Sequence, residues 1–166
     1  IPQGKRDDAS LHQATDFAIN RLNEIHRQME INRGRMNIAH TPQEVWVTKD
    51  AGKKAIMLGI ENGYAIGKDL GNIARFKKLG VSYITLCHNG SNDICDSARG
   101  EAEWGGLSPF GKEVVAEMNR LGIMVDVSHA AESTFYDALE ISTQPIIASH
   151  SSARALCDHP RNLTDD

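Results

Sequence analysis

The chain has 166 residues, of which 40% are hydrophobic and 24% charged, with a formal net charge of −4. That length supports one packed core, and the balance of charge gives no electrostatic basis for nucleic acid binding. No apolar run reaches bilayer-spanning length. Three cysteines stand at Cys87, Cys95 and Cys157 without a CxxC, which argues against a cysteine zinc site. Their odd number leaves a Cys95–Cys157 or a Cys87–Cys95 bridge open. Residue 1 is Ile, so an upstream segment, and any signal within it, is expected to be missing.

In chain order, the first element is a helix over about Ala9–Ile31. Leu11, Ala14, Phe17, Ala18, Leu22, Ile25 and Met29 recur at three and four residues and form one apolar stripe. Asn32, Arg33 and Gly34 end it. Thr41-Pro42-Gln43-Glu44 reads as a capping box opening a short helix. The β-branched Val45, Val47 and Thr48 make a strand the competing assignment there.

An alternation of strands and helices follows. Lys54–Ile60 is an apolar strand, and Asp69 caps a helix that runs to Leu79 and stops at Gly80. Val81–Cys87 is a strand, and Ser108-Pro109 opens a helix that ends at Leu121 before Gly122. Ile123–Ser128 is a strand, Glu132–Ile141 a helix and Pro145–Ser149 a further strand. This order implies parallel βαβ units, in an open doubly wound sheet or a (β/α)8 barrel. No GxGxxG follows a strand, so the dinucleotide-binding form of the open sheet has no support.

The chemistry sits at the strand ends. The first of these strands runs into Glu61, the next into His88, the third into His129 and the fourth into His150. In parallel α/β folds these ends face one edge, where loops build the site. Carboxylate and imidazole are both zinc ligands. A lone histidine at a strand end is more often a surface or capping residue, and a lone glutamate usually pairs with a nearby lysine. Four such residues at four successive strand ends make the case as a set. His12 and His26 on the first helix, His40 before a cap and His159 in the terminal loop read as structural or solvent-facing.

At these residues the sequence resembles the renal (membrane) dipeptidase family of zinc metallopeptidases. The segments LGIENG, TLCHN, GLSPFGKEVVAEMNRLGIMVDVSH and IIASHSSARALCDHPRNLTDD carry the likeness, from Lys54 to the last residue. The resemblance implies part of a (β/α)8 TIM-type barrel, about strands two to five with their helices, in a single domain over residues 1–166. It implies two zinc ions per complete active site and hydrolysis of the peptide bond of dipeptides by a hydroxide shared between the metals. Glu61 matches the carboxylate that bridges the metals, and His129 and His150 match the imidazole ligands of one zinc. His88 matches the catalytic, substrate-contacting histidine that steadies the oxyanion, and Arg161 the arginine that grips the substrate carboxylate. Asp126 receives no role.

The family pattern also has a His-x-Asp on the first barrel strand and an aspartate on the last. Neither falls within this sequence, so the chain alone is expected to be inactive and to leave sheet edges open. A homodimer is implied for the complete protein. The family includes secreted, periplasmic, lipid-anchored and cytosolic proteins, the first three favoured here. The competing readings are another binuclear amidohydrolase, acting on a cyclic amide, lactone or N-acyl amino acid, and a non-catalytic metal-binding relative.

Overall fold

The computed structural model describes residues 1–165. Helix α1 spans Asp8–Ile31, and its N-cap Asp7 accepts a hydrogen bond from the Ser10 N–H at 2.8 Å. Leu11, Ala14, Ala18 and Leu22 of the apolar stripe are buried. Phe17 and Ile25 are instead exposed, and Met29 is half-buried. Of the two readings open for His26, the structural one holds: its Nε2 meets the Leu79 carbonyl at 2.8 Å, tying α1 to the end of a later helix.

Strand β1, Met36–Ile38, is too short to have shown a periodicity. Helix α2, Pro42–Asp50, settles the Thr41 region as helical. Thr41 Oγ1 accepts from the Glu44 N–H at 3.2 Å, and the Glu44 carboxylate accepts from the His40 N–H, so the cap closes one residue earlier than in a standard box.

The expected strand over Lys54–Ile60 divides in two. Strand β2, Lys54–Ile56, pairs in parallel with β1, and strand β3, Leu58–Glu61, joins a different sheet. Met57, at the break, is exposed. A 3-10 turn, Gly63–Ile66, follows. Helix α3, Gly71–Lys78, begins two residues after Asp69, whose Oδ1 accepts from the Gly71 N–H at 2.8 Å. Asp69 therefore serves the helix start from just outside the N-cap, which is Leu70.

Strand β4 (Val81–Thr85), helix α4 (Pro109–Leu121), strand β5 (Met124–Asp126) and helix α5 (Glu132–Ile141) complete the order. Strands β3, β4 and β5 form a parallel sheet in that order. The Pro145–Ser149 segment adds a single parallel bridge, Asp126 to Ile147, rather than a full strand. It lies alongside β5 through Ile147 N–H to Val125 O and Val127 N–H to Ile147 O, both 2.9 Å. Ile73 and Phe76 of α3, Val114, Val115 and Met118 of α4 and Ala138 of α5 are fully buried in one core with Ile84, Val125 and Val127 of the strand segments. The architecture is α/β with parallel strands. All three cysteines are free thiols, Cys87 and Cys95 buried and Cys157 exposed, so neither open bridge forms.

Helix α4 is anchored at its start. Ser108 Oγ accepts from the Gly111 N–H at 2.9 Å, and the Ser108 N–H donates to Ile94 O at 2.9 Å. A Cβ at Gly111 would stand 2.0 Å from that same Ile94 oxygen, so only glycine permits this approach. The loop between β4 and α4 is organised by Asp96, only 1% exposed. Its carboxylate accepts the backbone N–H groups of Glu103, Trp104, Gly105 and Gly106 at 2.8–3.2 Å. Replacing Asp96 with Ala strands these amides, and hydrogen bonds to a charged group contribute about 1.5–3 kcal/mol each. Asp96→Ala is expected to lower unfolding stability by roughly 3 kcal/mol or more. Urea denaturation followed by Trp104 fluorescence checks this, and an unchanged midpoint would contradict it.

Candidate metal centre

The parallel register puts Glu61, Thr85, Asp126 and Ile147 in one row across the sheet, through the pairs Glu61–Thr85, Thr85–Asp126 and Asp126–Ile147. Glu61 is a member of the row, and each histidine lies three residues beyond it: His88 after Thr85, His129 after Asp126 and His150 after Ile147. Equal overhang from a level row brings the three rings together over Glu61. Glu61 Oε1 lies 3.4 Å from His88 Nε2, 3.2 Å from His129 Nε2 and 3.3 Å from His150 Nε2. The His88 and His129 ring centroids are 4.3 Å apart, and those of His129 and His150 5.0 Å.

Glu61, His129 and His150 each present one donor atom, all within 4.8 Å of one another. One carboxylate and two imidazoles converging in this way suit zinc. His129 is 4% exposed, while Glu61, His88 and His150 are open to solvent on one side. Burial foremost, then the positive charge of Arg161 and the neighbouring His88 and His150, pushes His129 down to about 4. It is therefore a neutral imidazole at physiological pH, the form a metal requires.

Local structure aims these side chains. His129 has a left-handed backbone, φ 69°, which turns the chain sharply as β5 ends. The β4–α4 loop supports the turn: the Ala98 N–H donates to His129 O at 2.8 Å, and Ser97 Oγ reaches the carbonyls of both His88 and His129. Asp126, which the sequence reading left without a role, lies beneath the site and is fully buried. Its Oδ2 accepts from Thr85 Oγ1 and from Ser149 Oγ, both at 2.6 Å, and its Oδ1 from the N–H groups of Ser128 and Ser149 at 3.1 and 3.0 Å. Burial opposes its ionisation, but donation from Ser149, Thr85 and Ser128 outweighs it and holds the carboxyl below the usual range. The signal for Asp126 was present in IMVDVS: an acid inside a buried apolar run must be bonded.

Arg161 also reaches the cluster. Its Nη2 lies 3.4 Å from His150 O, and its buried Nε has no partner among the described residues. His159 supports it by accepting the Arg161 N–H at 3.2 Å. The structure thus brings Glu61, His88, His129, His150 and Arg161 to one place. His12, bonded to the Asp8 carbonyl, and His40 lie on other elements.

The depressed value at His129 has a measurable sign. The unfolded chain binds a proton there near pH 6.5 and the folded chain only near 4, so stability falls as pH drops through that window. Metal-free protein is expected to lose on the order of 1–2 kcal/mol at this residue between pH 7 and 5. Urea unfolding at both pH values tests this, and His129→Asn should flatten the difference.

The family described as Membrane dipeptidase (Peptidase family M19) matches residues 2–166. A dipeptidase of Claviceps purpurea, tcpJ, is 40% identical over 99% of this chain, which covers 39% of that protein. The solved metallo peptidase of Rhodobacter sphaeroides, liganded with a phosphinate mimic of the dipeptide L-Ala-D-Ala, aligns with a TM-score of 0.85 at 30% identity, over 92% of this chain and 45% of its own. An amidohydrolase from Pseudomonas aeruginosa aligns with a TM-score of 0.86 at 32% identity, over 90% and 46%. The chain therefore spans less than half the length of these relatives. No helix among the described residues is long and apolar enough to cross a membrane. On its sequence match and its fold, the chain belongs to the membrane dipeptidase family of metallopeptidases, M19.

Proposed function

We propose that the protein carrying this chain is a zinc-dependent dipeptidase, in which residues 1–166 supply about strands two to five of a (β/α)8 barrel within a single domain. The observation that carries the reading is the convergence of three imidazoles on the Glu61 carboxylate, with Arg161 beside His150. His129 and His150 would hold one zinc ion, and Glu61 would be shared with a second, whose other ligands lie outside this chain. Zinc bound there supplies an activated water and polarises the scissile carbonyl.

The chain's own residues would position the substrate. His88, half-exposed beside the cluster, would donate a hydrogen bond to the carbonyl oxygen as negative charge develops on it. Arg161 would grip the free α-carboxylate with a planar fork, for which its unpartnered Nε offers a donor. A carboxylate clamp this close to the scissile bond selects dipeptides over longer chains. The complete protein would act as a homodimer, as the family likeness implies.

The likeness to a solved amidohydrolase favours one second reading, another binuclear amidohydrolase acting on a cyclic amide, lactone or N-acyl amino acid. Amino acid release from free dipeptides, with N-acetylated and C-amidated controls and a chelated blank, separates the two. Zinc-loaded full-length protein is expected to cleave free dipeptides only and to lose activity with chelator. Arg161→Met is expected to lower kcat/KM for dipeptides by about 100-fold or more, the loss of a charge-assisted pair. An equal rate on the amidated control would favour the amidohydrolase. Zinc binding without hydrolysis would favour a non-catalytic relative.

A further inference from the structure

Proton counting beneath the site distinguishes its two imidazole ligands. Four groups converge on the Asp126 carboxylate, the N–H groups of Ser128 and Ser149 and the hydroxyls of Thr85 and Ser149, and a carboxylate so surrounded accepts from each of them. Ser149 has one hydroxyl hydrogen, and its Oγ stands 2.6 Å from Asp126 Oδ2 and 2.7 Å from His150 Nδ1. The carboxylate takes the hydroxyl hydrogen, so Ser149 Oγ must accept from His150, whose proton therefore sits on Nδ1. Direct contact between His150 Nδ1 and Asp126 Oδ2 is longer, at 4.0 Å, so the serine is the link. The His150 backbone is fixed as well, its N–H donating to Ser128 Oγ at 3.0 Å. His150 Nε2 is left as a bare lone pair facing Glu61 at 3.3 Å.

His129 has no such support. Its Nδ1 is buried without a hydrogen-bond partner among the described residues. Its ring is held by burial and by the left-handed turn of its backbone.

We infer that Asp126 and Ser149 form a carboxylate–hydroxyl–imidazole relay that fixes the Nδ1–H tautomer of His150 and strengthens its Nε2 as a metal ligand. Ser149 is a positioning residue, acting on the metal through His150. Thr85 and the Ser128 N–H hold the Asp126 carboxylate from its other sides, so the relay has a rigid base. A partner that orients a ligating imidazole in this manner typically governs metal affinity by 10–100-fold. The inference rests on the metal site proposed above.

The test uses the full-length protein. Zinc affinity is measured by competition with a chromogenic chelator in the parent, Ser149→Ala and Ser149→Thr proteins. Ring-15N histidine spectra of the zinc-loaded forms report which nitrogen of His150 carries the proton. Ser149 is exposed at the surface of the site, and Ala removes only the hydroxyl, so the fold is expected to persist, as urea unfolding checks. Ser149→Ala should weaken zinc binding at least tenfold and abolish the strongly bonded Nδ1–H signal, and Thr should restore both. Parent-like affinity in Ser149→Ala, a Thr variant no better than Ala, or an Nδ1 without a proton in the parent would each overturn the relay while leaving the dipeptidase reading intact. A parent that binds no zinc would overturn both.

Discussion

The site depends on one constraint, the level parallel register that sets Glu61, Thr85, Asp126 and Ile147 in a row. A slip by one residue would rotate side chains to the opposite face and carry a histidine away from Glu61. The register is therefore held by more than main-chain pairing. Asp126 joins it sideways, taking the Thr85 hydroxyl from one neighbouring strand and the Ser149 hydroxyl and amide from the other. One fully buried carboxylate thus fastens three neighbouring segments just below Glu61 and the histidines. Such a group is stabilising because its four hydrogen bonds offset the cost of burying it.

The β4–α4 loop serves the same edge from above. Asp96 gathers the amides of residues 103–106, Ser108 and Gly111 seat α4 against Ile94, and Ser97 links the backbones of His88 and His129. The four site residues on the sheet edge consequently rest on two buried aspartates, one in a strand and one in a loop. Rigid support of this kind is what holds metal-binding geometry to a fraction of an ångström.

Much of this was legible in the sequence, and the exceptions have physical causes. Helix α4 fell where Ser108, Pro109 and Gly122 placed it, because caps are local signals, and α5 fell at the expected Glu132–Ile141. The division of Lys54–Ile60 was hidden because a change of pairing partner between two sheets leaves no mark in composition. Strand β1 was missed for its three-residue length, and the final strand was overcalled because only Ile147 pairs. Glu61, His88, His129 and His150 were visible because strand ends point to a common edge. Arg161 needed the family likeness, since nothing local separates a clamp from a solvated arginine. The roles of Asp96 and Asp126 needed coordinates, because a sequence does not say which amides and hydroxyls will meet a carboxylate.

The left-handed backbone of His129 gives that position an unusual evolutionary neighbourhood. Glycine and asparagine are the residues most at ease there, and the asparagine side chain is two atoms smaller than that of histidine but similar in its liking for the turn. Drift from histidine to asparagine would keep the chain's path and remove an imidazole from the Glu61 cluster. Position 129 is thus one where folding exerts little resistance to losing the imidazole around which the cluster is built.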